Sequence, residues 1–152
     1  MSFAIVKTDS KNSGFIKLIK LLDEDLSKRY GEVQAQYEKH NKIDLINDVI
    51  VVYKAESPVA CGAFKEYDSQ SVELKRIFVV PEQRRQGLAR MIVCELEKLA
   101  ESREYKYALL ETGRKQYEAI DLYNKLGYLQ IQNYGPYIGN ANSICMKKAL
   151  LY

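Results

Sequence analysis

Residues 79–90, VVPEQRRQGLAR, place two arginines and a glycine between an apolar run and a segment of helical period. Those residue types at such a junction suit an anion. The first backbone N–H groups of a helix have no intrahelical acceptor, and the aligned peptide dipoles put about half a positive charge there. Gly87 has no Cβ, so an anion can come close to the backbone, and Arg84 and Arg85 add charge-assisted donors. The same residues also suit a solvated helix start in which Pro81 turns the chain and the arginines serve solubility; alone, the segment leaves both readings open. It contains neither G-x-x-x-x-G-K-[ST] nor G-x-G-x-x-G, which argues against a nucleoside triphosphate or a dinucleotide as the anion.

Little else carries chemistry by residue type alone. His40 is the only histidine and sits in the polar stretch YEKHNK, which reads as solvated, so catalysis is expected to manage without imidazole. Cys61, Cys94 and Cys145 are odd in number, far apart, and lack a C-x-x-C pair or a histidine cluster, so neither a disulfide framework nor a metal site is indicated. The net charge of +3 is too small for a nucleic-acid-binding surface. No apolar run approaches the ~20 residues needed to cross a bilayer, and residues 1–8 lack the apolar stretch of a secretory signal. A soluble, cytoplasmic protein without nucleic-acid or membrane partners is expected.

The elements that must position the junction follow from periodicity. At 152 residues, 47% apolar and 28% charged, with no repeat or Gly/Ser/Pro-rich linker, the chain reads as a single domain over residues 1–152. FAIVKT alternates like a strand; DSKNS then offers caps for a helix whose face is Phe15, Leu18, Ile19, Leu22 and Leu26, ending near residues 30–31. Residues 32–42 suit a short second helix or an irregular arm. Residues 48–55, 58–68 and 71–80 are β-branched or alternating runs divided by turn signals, a three-stranded antiparallel meander. After Gly87 the period becomes 3.6, with Leu88, Met91, Ile92, Leu96 and Leu99 on one face, Glu97 opposite, and Glu95 mismatched inside the apolar stripe. A strand at 106–112, a helix around Ala119, Ile120, Tyr123 and Leu126 stopped by Gly127, and strands at 128–134 and 143–150 complete an α/β domain. Its sheet is mixed and mainly antiparallel, with a central right-handed parallel β-α-β crossover.

Two motifs on these elements resemble those of the GNAT superfamily of N-acetyltransferases. Arg84-Arg85-Gln86-Gly87-Leu88-Ala89 is similar to the family's acetyl-CoA signature [Q/R]-x-x-G-x-[G/A], preceded by a strand ending in V-x-P, here Val79-Val80-Pro81. QYEAIDLYNKLGY resembles its N-x-x-A-x-x-L-Y-x-x-x-G-[FY]. The resemblance covers nearly the whole chain and implies the GNAT-like fold, with helices on both faces of the sheet.

It also implies roles. In the family the strand before the signature splays from its parallel neighbour and its backbone meets the pantetheine arm and the thioester carbonyl, which assigns main-chain contacts to Ile77, Phe78 and Val79. The signature binds the pyrophosphate of acetyl-CoA, assigning Arg84, Arg85, Gln86, Gly87, Leu88, Ala89 and Arg90; Gln116 stands where the family has an Asn that contacts CoA. Tyr123 matches the tyrosine that protonates or steadies the leaving thiolate, the alternative being an aromatic packed on the sheet. Glu73, eleven residues before Arg84, stands where some members carry a general base; a salt bridge to Lys75 or to the neighbouring strand competes with that role. Acceptor recognition falls to residues 30–41 and 133–142, naming Tyr30, Asn133, Tyr134 and Tyr137. The expected activity is acetyl-CoA-dependent transfer of an acetyl group to a small primary amine such as an amino acid or analogue. Acetylation of proteins or peptides and a non-catalytic acyl-CoA-binding module are the alternatives, and a homodimer is compatible with the family.

Overall fold

The computed structural model describes residues 2–30 and 45–150, without the side chains of residues 29 and 30. The expected arm at 32–42 and His40 lie outside the described residues. The elements are β1 (Phe3–Thr8), α1 (Ser13–Tyr30), β2 (Asp48–Lys54), β3 (Ser57–Asp68), β4 (Ser71–Val79), α2 (Leu88–Ser102), β5 (Tyr107–Gly113), α3 (Tyr117–Lys125), β6 (Leu129–Ile131) and β7 (Ser143–Ala149). The strands form one mixed sheet in the order β1-β2-β3-β4-β5-β7-β6. The β4–β5 step is parallel, whereas β1–β2, β2–β3, β5–β7 and β6–β7 are antiparallel. No helix among the described residues is long and apolar enough to cross a membrane.

The described residues divide into two compact units, one within Met1–Lys65 and Lys75–Leu96, the other within Glu66–Leu74 and Glu97–Tyr152. In the first, α1 starts where Asn12 caps it, its Oδ1 accepting the Phe15 N–H at 2.9 Å. Phe15, Leu18, Ile19, Leu22 and Leu26 are buried, as their spacing requires. Four successive residues of β2, Val49, Ile50, Val51 and Val52, are buried, so both faces of that strand are covered. Each such side chain contributes about 1.5–3 kcal/mol of burial. Gly62 on β3 allows α2 to lie close, since a Cβ there would run into Ile92.

In the second unit, α3 ends in a Schellman turn. Gly127 has φ +98°; its N–H bonds to the Asn124 carbonyl at 3.2 Å, and the Tyr128 N–H bonds to the Tyr123 carbonyl at 2.9 Å. The hydrophobic contact that accompanies such turns is here two tyrosines, the rings of Tyr123 and Tyr128 meeting edge to face at 5.8 Å. Tyr123, the residue singled out by motif, is therefore buried and held from both ends of its own turn.

Three expectations need correction. The buried line of α2 is Leu88, Ile92, Val93, Leu96, Glu97 and Ala100, so Glu97 and not Glu95 is the buried acid. Its carboxylate accepts the Tyr128 hydroxyl at 2.7 Å and pairs with the Lys148 ammonium at 2.9 Å. Those partners lie 31 and 51 residues away, outside any helical pattern. The run 128–134 supplies only a three-residue strand at the sheet edge, because the chain leaves it for the turn Gly135–Tyr137. Finally, the alternating run expected over residues 71–80 is interrupted at Arg76, whose φ is +60°.

Candidate active site

In the first unit the junction is a β4 end, one 3-10 turn and a helix start. Val80 donates its N–H to the Val59 carbonyl at 2.9 Å, and Pro81–Gln83 form the turn. Arg85 and Gly87 both have positive φ, +66° and +79°. The glycine suits the second position: nothing lies within 4 Å of where its Cβ would stand, so the backbone faces open space. The first helical bond runs from the Met91 N–H to the Gly87 carbonyl at 3.0 Å, which leaves the N–H groups of Leu88, Ala89 and Arg90 without an intrahelical acceptor. No acidic residue stands in the first turn of α2, and Arg85, Gln86 and Arg90 are exposed. A pyrophosphate fits this arrangement of open backbone, helix dipole and cations.

Not every residue assigned to the junction points outward. Arg84 folds back: its Nε donates to the Val79 carbonyl at 3.0 Å, its guanidinium lies 5.8 Å from the centre of the Phe78 ring, and a terminal nitrogen is 3.8 Å from Asp25 of α1. Arg84 and the Val79 carbonyl are thus engaged with each other. The Gln86 amide bonds to the Gln83 side chain at 2.8 Å, and Leu88 is buried. Ile77 is half-buried, and Phe78 and Val79 are buried. Tyr30 closes α1, and its side chain lies outside the described residues.

The second unit brings together residues far apart in sequence. The parallel ladder of β4 and β5 pairs Ser71–Glu73 with Tyr107–Leu109. Glu73 therefore stands beside Leu109; Glu111 follows two residues on along the same face, opposite Cys145 of β7. Tyr134 donates its hydroxyl to Glu73 at 2.8 Å, and its ring stacks edge to face on Tyr67 at 5.1 Å and on Tyr137 at 5.6 Å. The loop carrying these phenols is braced by Asn133, whose amide donates to the carbonyls of Tyr137 at 3.1 Å and Asn140 at 3.0 Å. Asn133, expected to meet the acceptor, is here the clamp of its own loop. Gln116 precedes α3 and makes no side-chain cap bond.

The electrostatics favour protonated phenols. Burial, reinforced by the charge of Glu111, pushes the Tyr123 hydroxyl well above the ordinary tyrosine range. Burial and then Glu73 do the same for Tyr134; burial followed by the charges of Glu73 and Glu111 does so for Tyr137. Burial raises the Cys145 thiol to about 11, so it is neutral near pH 7. The set offers proton donors beside a carboxylate that can accept one. Glu111 is absent from the sequence-based expectations; its one available signal was a carboxylate in the middle of an otherwise apolar strand.

The chain belongs to the acetyltransferase (GNAT) family, whose model matches residues 15–128. The IAA acetyltransferase of Azospirillum brasilense is 32% identical over 102 residues, 66% of this chain and 67% of that protein. The matches span about two thirds, 66% and 67%, of the curated relatives' lengths. Among solved structures, a Klebsiella pneumoniae protein assigned as an acyl-CoA N-acyltransferase has a TM-score of 0.80 at 27% identity over 98% of both chains. The PaiA N-acetyltransferase of Thermoplasma acidophilum, in complex with coenzyme A, shares the fold at a TM-score of 0.69 and 14% identity, over 98% of this chain and 99% of that one. The protein is an N-acetyltransferase by family and an α/β GNAT fold by structure.

Proposed function

We propose that residues 1–152 form one acetyltransferase domain that works in the cytoplasm and moves the acetyl group of acetyl-CoA onto a small primary amine such as an amino acid or analogue. The observation that carries this reading is the Glu73 carboxylate accepting the Tyr134 phenol at 2.8 Å, on the strand that continues into the anion-binding junction. Acetyl-CoA supplies an activated acyl carbon and a thiol leaving group. Leu88, Ala89 and Arg90 offer backbone N–H groups, and Arg85 a cation, to its pyrophosphate. The main chain of Ile77–Val79 is assigned to its pantetheine arm.

The chemistry then falls to two groups. The neutral amine nitrogen forms a bond to the acyl carbon, Glu73 takes the amine proton directly or through water, and the carbon–sulfur bond breaks. Tyr123, kept protonated by burial, donates a hydrogen bond that steadies the departing thiolate. A loop clamped by Asn133 favours a small acceptor over an extended peptide, which needs an open groove.

The test is a panel of amino acids, polyamines, aminoglycosides and peptides, following release of free thiol from acetyl-CoA. Turnover of a small amine supports the reading. Turnover of peptides alone transfers the assignment to protein acetylation, and no turnover with any amine would falsify the enzymatic reading in favour of a binding module.

A further inference from the structure

Arg76 is the residue of β4 that least resembles a strand residue. Its φ of +60° is a conformation that a residue with a Cβ adopts only when its surroundings impose it. Two contacts do so. The guanidinium, with its side chain only 7% exposed, bonds Asp23 of α1 at 3.0 Å. The Arg76 carbonyl accepts the thiol of Cys61 on β3 at 3.3 Å. The position matters as much as the strain: Arg76 comes after the last residue of the β4–β5 ladder, Glu73, and immediately before Ile77, Phe78 and Val79. Those three residues are closed at their other end by a second arginine that also reaches α1, Arg84, with its Nε on the Val79 carbonyl and its terminal nitrogen 3.8 Å from Asp25.

We infer that Arg76, anchored by Asp23, is a positioning residue that fixes the backbone of Ile77–Val79 for the acyl thioester, so that α1 sets the alignment of the acetyl group. The inference rests on the acyl-CoA reading above and deepens it. A strand that needed only the turn would be served by glycine, which takes positive φ without an anchor. A strand that needed only an ion pair would gain little from Asp23, whose side chain is 37% exposed. The two together make sense if the direction of the following backbone is what is being held. Asp23 and Asp25 are then braces on either end of one tripeptide, each acting through an arginine.

Calorimetry with acetyl-CoA and with CoA, side by side on the full chain, separates alignment from general stability, because CoA has no thioester carbonyl to align. Arg76→Ala is expected to weaken acetyl-CoA about tenfold and CoA less than about twofold. Asp23→Asn should do the same by about threefold, and Arg76→Lys should recover part of the loss. Arg76→Gly, free to adopt the turn but without its anchor, should bind like Arg76→Ala while melting at a higher temperature. Equal weakening of both ligands, or no change, in variants that melt cooperatively overturns the inference. If Arg76→Ala does not fold, Asp23→Asn decides, since it removes only the charge of the anchor. Wild-type protein that binds neither ligand overturns the acyl-CoA reading itself, which is a distinct result.

Discussion

The anion-binding junction and the tyrosine–carboxylate cluster are built in opposite ways. The junction is a run of consecutive residues, largely exposed, whose proposed role rests on backbone N–H groups and a glycine with nothing beside it. The cluster is assembled from β4, β5, β7 and the loop after β6; its central bond joins residues 61 positions apart, and of the loop's two phenols Tyr137 is buried and Tyr134 half-buried. The difference teaches where each can be damaged. A single side chain or charge can close the junction without disturbing a core, whereas the cluster depends on several elements meeting, so a change in any one of its residues also disturbs packing.

That contrast can be broken by mutation. The largest effect is expected from Glu73→Gln, which should lower kcat on the order of 10²-fold and leave the calorimetric affinity for acetyl-CoA within about twofold. A parallel loss of affinity would mean that the two regions do not divide the work. Gly87→Glu should do the reverse, raising the Kd for acetyl-CoA about tenfold or more through its charge and its positive φ, with kcat near wild type at saturation. Tyr123→Phe removes one hydroxyl from a buried ring and should lower kcat about tenfold with unchanged affinity; equal turnover would leave the tyrosine as the packing partner of Tyr128 alone.

The smallest effect sharpens the comparison through pH. Tyr123, Tyr134 and Tyr137 hold their protons more tightly when folded than a free tyrosine does. Above about pH 10 the unfolded chain therefore binds fewer protons than the folded one, and stability falls as pH rises. Urea denaturation at about pH 8 and about pH 11 should show this decline, and Tyr134→Phe should flatten it by roughly one proton's share. An unchanged slope in that variant would place the Tyr134 hydroxyl in water rather than on Glu73.

Legibility in the sequence tracked the same divide. Arg84 to Ala89, the caps of α1 and the Gly127 stop are local patterns, and each lies where the spacing puts it. The direction of the Arg84 side chain was not legible, because Asp25 and the Val79 carbonyl reach it only through folding. Glu97 was misread for the same reason: a helical wheel cannot see Tyr128 and Lys148, which make burial of that acid affordable. Glu111 is missed, and the clamp that Asn133 makes is not foreseen, because a lone acid in a strand and amides in a Gly- and Pro-rich loop have many ordinary uses. The GNAT motifs, by contrast, name positions directly, and they lie on the elements that periodicity alone had drawn.

Gly62 carries a consequence for how this protein can change. A side chain there would strike Ile92 first, with Leu96 and Ile77 next in line. Position 62 is thus locked to position 92: a library randomised at 62 alone should return glycine among its functional members, while one that also allows alanine at 92 should admit small residues. The interval between β3 and α2 thus constrains the order of change: position 62 can grow only once position 92 has shrunk.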